Sequence, residues 1–136
     1  YRMLFKTIRT HILTDGWEDD IKKDSQKVYS AFRNGHCYIA YDWLSEADGF
    51  SFLAKSKVEE WKMGDTIPSG NAANGGIELL AKSPRTALLR LIRNGIVLRE
   101  TYHNELKFKV KETGVYRIEA YLKGKPWVYT NPIYVR

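Results

Sequence analysis

Gly114 to Arg136 reads GVYRIEAYLKGKPWVYTNPIYVR, and the order of its parts decides the fold. After the Gly114-x-Tyr116 start, Tyr116, Ile118, Ala120 and Leu122 alternate with Arg117, Glu119 and Tyr121. Period-two alternation puts one set on a buried face and the other in water, as in an antiparallel sheet. A Pro126-Trp127 turn, an Asn131-Pro132 break and one short final strand follow, the pattern with which a β-sandwich closes. Tyr116 fits a tyrosine corner, its phenol bonding to backbone just upstream and pinning the crossover between sheets.

Upstream of this stretch the same period recurs. Tyr38, Ala40 and Asp42 alternate with Ile39 and Tyr41, and Phe50, Phe52 and Ala54 follow the Ala47-Asp48-Gly49 turn. Met63-Gly64-Asp65 reads as a turn and Pro68 to Gly76 as a flexible loop. Ile77, Leu79 and Ala81 resume the alternation. Thr86 to Arg93 and Ile96 to Tyr102 form a hairpin through Asn94-Gly95, a dipeptide that tolerates the positive φ angles of a type I′ turn. Leu106, Phe108 and Val110 point inward against Lys107, Lys109 and Lys111. Seven or so strands at this spacing predict a mainly β, antiparallel, immunoglobulin-like β-sandwich.

Two short helices are expected ahead of it. Leu4, Ile8 and Ile12 recur at four-residue spacing over residues 2 to 13. Asp19 and Asp20 or Asp24 can cap a second helix in which Val28, Ala31 and Phe32 share a face and Asn34-Gly35 is the stop. The expected organisation is a helical lead over residues 1–35, the tail of an upstream domain, and a β-sandwich over residues 36–136.

Composition frames these readings. One domain is the natural expectation for 136 residues, and no apolar run approaches the length of a membrane span. The first residue is Tyr1, so the chain reads as a segment of a longer polypeptide. The net charge of +6 is dispersed, +2 over residues 1–36 (seven basic, five acidic) and +4 over 37–136 (fifteen basic, eleven acidic). Dispersed charge argues against a nucleic-acid partner, which calls for a basic stripe.

Candidate chemistry is sparse. Asp19-Asp20 and Glu59-Glu60 are adjacent pairs whose side chains diverge, so they read as solvated or capping charges. His11, His36 and His103, the last expected in a turn connecting strands, are scattered, each without a nucleophile or second ligand nearby, and Cys37 has no Cys-x-x-Cys partner. The Gly-rich loop 70–76 lacks the Lys-Ser/Thr of a phosphate cradle. Trp17, Trp43, Trp61 and Trp127, with Tyr129 and Tyr134, could stack on sugar rings or bases; the simpler reading fills the core ends with Trp43 and Trp127 and puts others at an interface.

The order Ala31-x3-Gly35-x-Cys37-Tyr38-x-Ala40-x-Asp42, Gly49-Phe50-x-Phe52-x-Ala54, Met63-Gly64-Asp65 resembles the region after the catalytic domain in bacterial PHP-type metal-dependent phosphoesterases. Arg90-Leu91-Ile92-x-Asn94-Gly95, Gly114-x-Tyr116-Arg117-x-Glu119 and Pro126-Trp127-x3-Thr130-Asn131-Pro132-Ile133-Tyr134-Val135 continue the resemblance to the end. It implies a noncatalytic C-terminal accessory domain that stabilises or positions an upstream hydrolase of the same chain. Such hydrolases hold divalent metals with clustered His, Asp and Glu. No ligand of that kind maps here, so no catalytic, cofactor-binding or metal residue is expected in this segment, and the metals belong upstream. Trp127 and Asn131 are the expected interdomain or ligand contacts; the alternative is a carbohydrate-binding β-sandwich module.

Overall fold

The computed structural model describes residues 7–72 and 76–136. Among them are ten strands and one α-helix: β1 (Arg9–Ile12), α1 (Ile21–Arg33), β2 (Cys37–Ala40), β3 (Ser51–Lys55), β4 (Glu60–Lys62), β5 (Thr66–Ile67), β6 (Glu78–Arg93), β7 (Ile96–Lys109), β8 (Gly114–Leu122), β9 (Lys125–Thr130) and β10 (Ile133–Val135). The protein is mainly β and its ladders are antiparallel, except where β10 runs parallel to β5.

The helix expected over residues 2–13 is corrected: Arg9–Ile12 is a strand, paired antiparallel with β2 from Arg9↔Ala40 to Ile12↔Cys37. Residues 2–6 lie outside the described residues. Long-range pairing outweighed a helical spacing carried by few residues, since β-branched Ile12 and Thr10 fit a strand as readily. The second expected helix is α1. Asp20 caps it, its Oδ1 accepting from Lys22 N at 3.0 Å and Lys23 N at 3.2 Å, and the chain leaves through Asn34 into Gly35 at φ +70°.

β6 organises the sheet. Its first half pairs with β3 (Ser51↔Lys82 to Lys55↔Glu78), its second half with β8 (Leu88↔Tyr121 to Arg93↔Tyr116), and β7 follows it through both. The pairing lapses between Lys82 and Ala87, where Pro84 sits, so the missing proline N–H costs no ladder bond. Residues 78–81 and 86–93, which read as parts of separate strands around this break, are one strand with a register shift. Asn94 (φ +50°) and Gly95 (φ +84°) turn it into β7 as expected.

From β6 the order runs β8, β9, β2, β1 on one part and β3, β4 on the other, with β10 beside the first half of β8. The two parts enclose one core. Leu89, Leu91, Ile118 and Trp127 from one meet Phe52, Ala54, Leu79 and Met63 from the other, and the Phe50 and Trp127 rings meet edge-to-face at 6.1 Å. Tyr116 is buried and its hydroxyl donates to Glu112 O at 2.6 Å, the backbone bond expected of a tyrosine corner.

Three further expectations are corrected. Pro126-Trp127 is not a turn but lies within β9; the turn is Lys123-Gly124, both at positive φ. His103 lies inside β7 and not in a connection. Trp43 does not fill the end of the core, being 56% exposed.

Candidate functional site

Cys37, Asp42, Asp65 and Asn131 of the quoted motifs lie in two polar clusters. In the first, the end of α1, the β4–β5 turn and the break between β9 and β10 meet. Asn131 Nδ2 donates to Gly35 O at 3.0 Å and lies 3.2 Å from Cys37 Sγ. His36 Nε2 is 2.8 Å from Asp65 Oδ1, and Asp65 Oδ2 accepts from Lys62 N at 2.8 Å. Gly64 N donates to Pro132 O at 2.7 Å. A Cβ at Gly64 would overlap the Asn34 carbonyl oxygen and lie 2.7 Å from the Gly35 carbonyl carbon, so only glycine permits this approach. Burial pushes the Cys37 thiol above its ordinary pKa, with the Asn131 bond opposing, which makes it a poor thiolate nucleophile at neutral pH.

The second cluster ties β1 and the loop after β2 to β9. Tyr38 donates to Ala47 O at 2.8 Å, Ala47 N to Asp42 Oδ1 at 2.9 Å, and Trp127 Nε1 to Ser45 O at 2.7 Å. His11 Nε2 lies 2.8 Å from Asp42 Oδ2 and its Nδ1 3.2 Å from Asp48 Oδ1, while its ring stacks on Tyr38 at 4.7 Å. The Tyr38 phenol is pushed well above its usual pKa, first by burial and then by Asp48 and Asp42. His103 accepts Glu105 N at 3.1 Å. Each histidine thus has a partner that orients it. Among the described residues no group of three His, Cys, Asp or Glu side chains is placed to hold a metal ion.

Trp127 is 1% exposed. Its burial has a local cause: Ala120 pairs with Val128 and Tyr121 with Pro126, so Trp127 is the extra residue of a bulge, which re-aims its side chain. Asn131, half-buried, makes its contacts with Gly35 and Cys37 inside the domain.

The outward face of β2, β9, β8 and β6 is different. The register aligns Ile39, Tyr129, Glu119 and Arg90 across four strands, with Tyr121 and Leu88 in the next row. Tyr121 and Tyr129 meet edge-to-face at 6.3 Å, the Arg90 guanidinium lies 4.5 Å over the Tyr121 ring, and Tyr121 donates to Glu119 Oε2 at 2.8 Å. At the β1 side of this face a depression of about 320 Å³ opens, lined by Ile8, Ile39, Tyr41, Pro126, Trp127 and Tyr129 among others. Ile8 and Ile39 stand exposed beside it. Ile39 and Tyr121 escaped notice as contact residues because outward positions of an alternating strand read as wet; the available signal was that apolar and aromatic side chains occupy them.

Compared with known proteins, the chain matches no family model, no curated protein and no solved structure.

Proposed function

We propose that this chain is a noncatalytic, immunoglobulin-like accessory domain that docks against a catalytic domain of the same polypeptide, a PHP-type metal-dependent phosphoesterase. The observation that carries the docking is the apolar depression at Ile8, Ile39 and Tyr129, a concavity with hydrophobic and aromatic walls suited to contact. The Tyr116–Glu112 bond and the single core shared by both parts of the sheet support the immunoglobulin-like reading. The assignment of the partner rests on the motif resemblance.

Three measurements test this. The chain with Mn²⁺ or Zn²⁺ is expected to leave p-nitrophenyl phosphate intact; turnover abolished by a chelator overturns the noncatalytic reading. The natural reading frame upstream of Tyr1 is expected to encode His-x-His with spaced Glu, His and Asp residues, and a frame without them removes the phosphoesterase. In the longer polypeptide the amides of Ile39 and Tyr129 are expected to exchange more slowly than in the chain alone. Equal exchange removes the docking.

One observation favours a second reading, a carbohydrate-binding module. Tyr129 and Tyr121 present rings beside Arg90 and Glu119, the combination of stacking surface and hydrogen-bonding groups that sugars use. Saturable binding on a glycan array that is lost in Tyr129→Ala supports it, and a flat array removes it.

A further inference from the structure

Among the described residues β7 pairs with β6 alone, so one long edge of a 14-residue strand carries no neighbouring strand. Bare edges are templates for another chain. Two features differ along this one. Its start is apolar and exposed, with Ile96 at 67% and Val97 at 48%. Its end borders a groove of about 470 Å³ lined by Arg99, Lys107, Phe108, Lys109 and Lys111, with Glu78 the one carboxylate. Val110 N bonds Ile77 O and extends the pairing one step, so Lys107, Lys109 and Lys111 recur on one face about every 6.7 Å. Among the described residues Arg99, Lys109 and Lys111 take part in no ion pair, and Lys107 has Glu105 at 3.6 Å.

We propose that the edge of β7 receives an acidic, extended polypeptide segment, its carboxylates facing the three lysines. Carboxylates at alternate positions of a strand repeat at the same spacing as these lysines and meet them as cross-strand pairs. A chain of phosphates would answer the charge alone. A polypeptide also supplies the N–H and C=O groups that an open edge lacks. In the free protein two edge groups are covered by side chains: Arg99 Nη1 donates to Lys107 O at 2.7 Å, and His103 Nδ1 accepts from Glu105 N. These covers hinder edge-to-edge pairing between copies. A backbone N–H of the incoming strand competes with Arg99, whose guanidinium lies 5.3 Å over the Phe108 ring, for the Lys107 carbonyl. The proposal does not depend on the depression at Ile39 and Tyr129.

The test titrates the whole chain with a synthetic peptide of alternating Glu and Val, about ten residues long. The same peptide with Lys for Glu, and sodium polyphosphate, serve as the other probes. Saturable binding is expected for the Glu peptide only, with amide shifts concentrated between Ile96 and Lys109. Affinity should weaken about tenfold or more in high salt and about tenfold or more in Lys107→Glu/Lys109→Glu. No binding of the Glu peptide, equal binding of the Lys peptide or of polyphosphate, or unchanged affinity in the double variant overturns it. The peptide comparison decides the matter even where the double variant folds poorly.

Discussion

The turn at Gly64 and the strand β7 show opposite ways of handling backbone. At Gly64 three segments approach until no side chain fits between them, and Asn131, His36 and Asp65 fasten them with bonds to one another and to main chain. Along β7 one edge stands open, apolar at one end and cationic at the other. The difference separates residues that make the fold from those left over for contact. Asp65 and Asn131 of the quoted motifs lie in the fastened region, and the surfaces suited to a partner lie outside it.

The sharpest way to break this contrast is Gly64→Val. A side chain there meets the Asn34 carbonyl and holds φ +96° at a cost, so a loss of about 4 kcal/mol or failure to fold is expected in urea denaturation. A mild effect would mean that the segments separate easily. Next comes Trp127→Ala, which removes a buried indole and its bond to Ser45 O; about 3–5 kcal/mol should be lost. Tyr116→Phe deletes only the hydroxyl bonded to Glu112 O and should cost about 1–1.5 kcal/mol in the same measurement. The smallest effect belongs to Ile39→Thr, at a side chain 46% exposed on the outward face, with a change of roughly 1 kcal/mol or less. A loss as large as that of Trp127→Ala would make this face part of the core's support and remove it as a docking surface.

Raising the pH probes two tyrosines outside the Gly64 turn, Tyr38 stacked on His11 and Tyr121 on the outward face. The phenols of Tyr38 and Tyr121 are held above their ordinary pKa, burial being the first cause for each. Their folded pKa exceeds the unfolded one, so the stabilisation is complete below the unfolded tyrosine range near about 10 and fades as pH climbs above it. Alkaline loss of secondary structure, followed by circular dichroism, should therefore move to higher pH in Tyr38→Phe. A transition at unchanged pH would contradict this.

Much of the fold was legible. The alternation from Tyr116 to Leu122, the Asn94-Gly95 turn and the capped helix before Gly35 are local signals, and each corresponds to an observed element. What stayed hidden depends on distant partners. Arg9–Ile12 is a strand because β2 lies beside it. The bulge that buries Trp127 exists only against β8, so the indole read equally well as a core or a contact residue. Asn131 was legible as special, but its partners Gly35 and Cys37 are 96 and 94 positions away.

β6 is hydrogen-bonded to β3 before Pro84 and to β8 after it, so one strand joins the two parts of the sheet. Neither part can then come apart while the other keeps its full set of partners, because the same strand would have to be released and retained. Opening is shared between them, and slowly exchanging amides should appear in both halves of β6, on either side of the lapse at Pro84. A single strand thereby makes the two parts of the sheet melt as one.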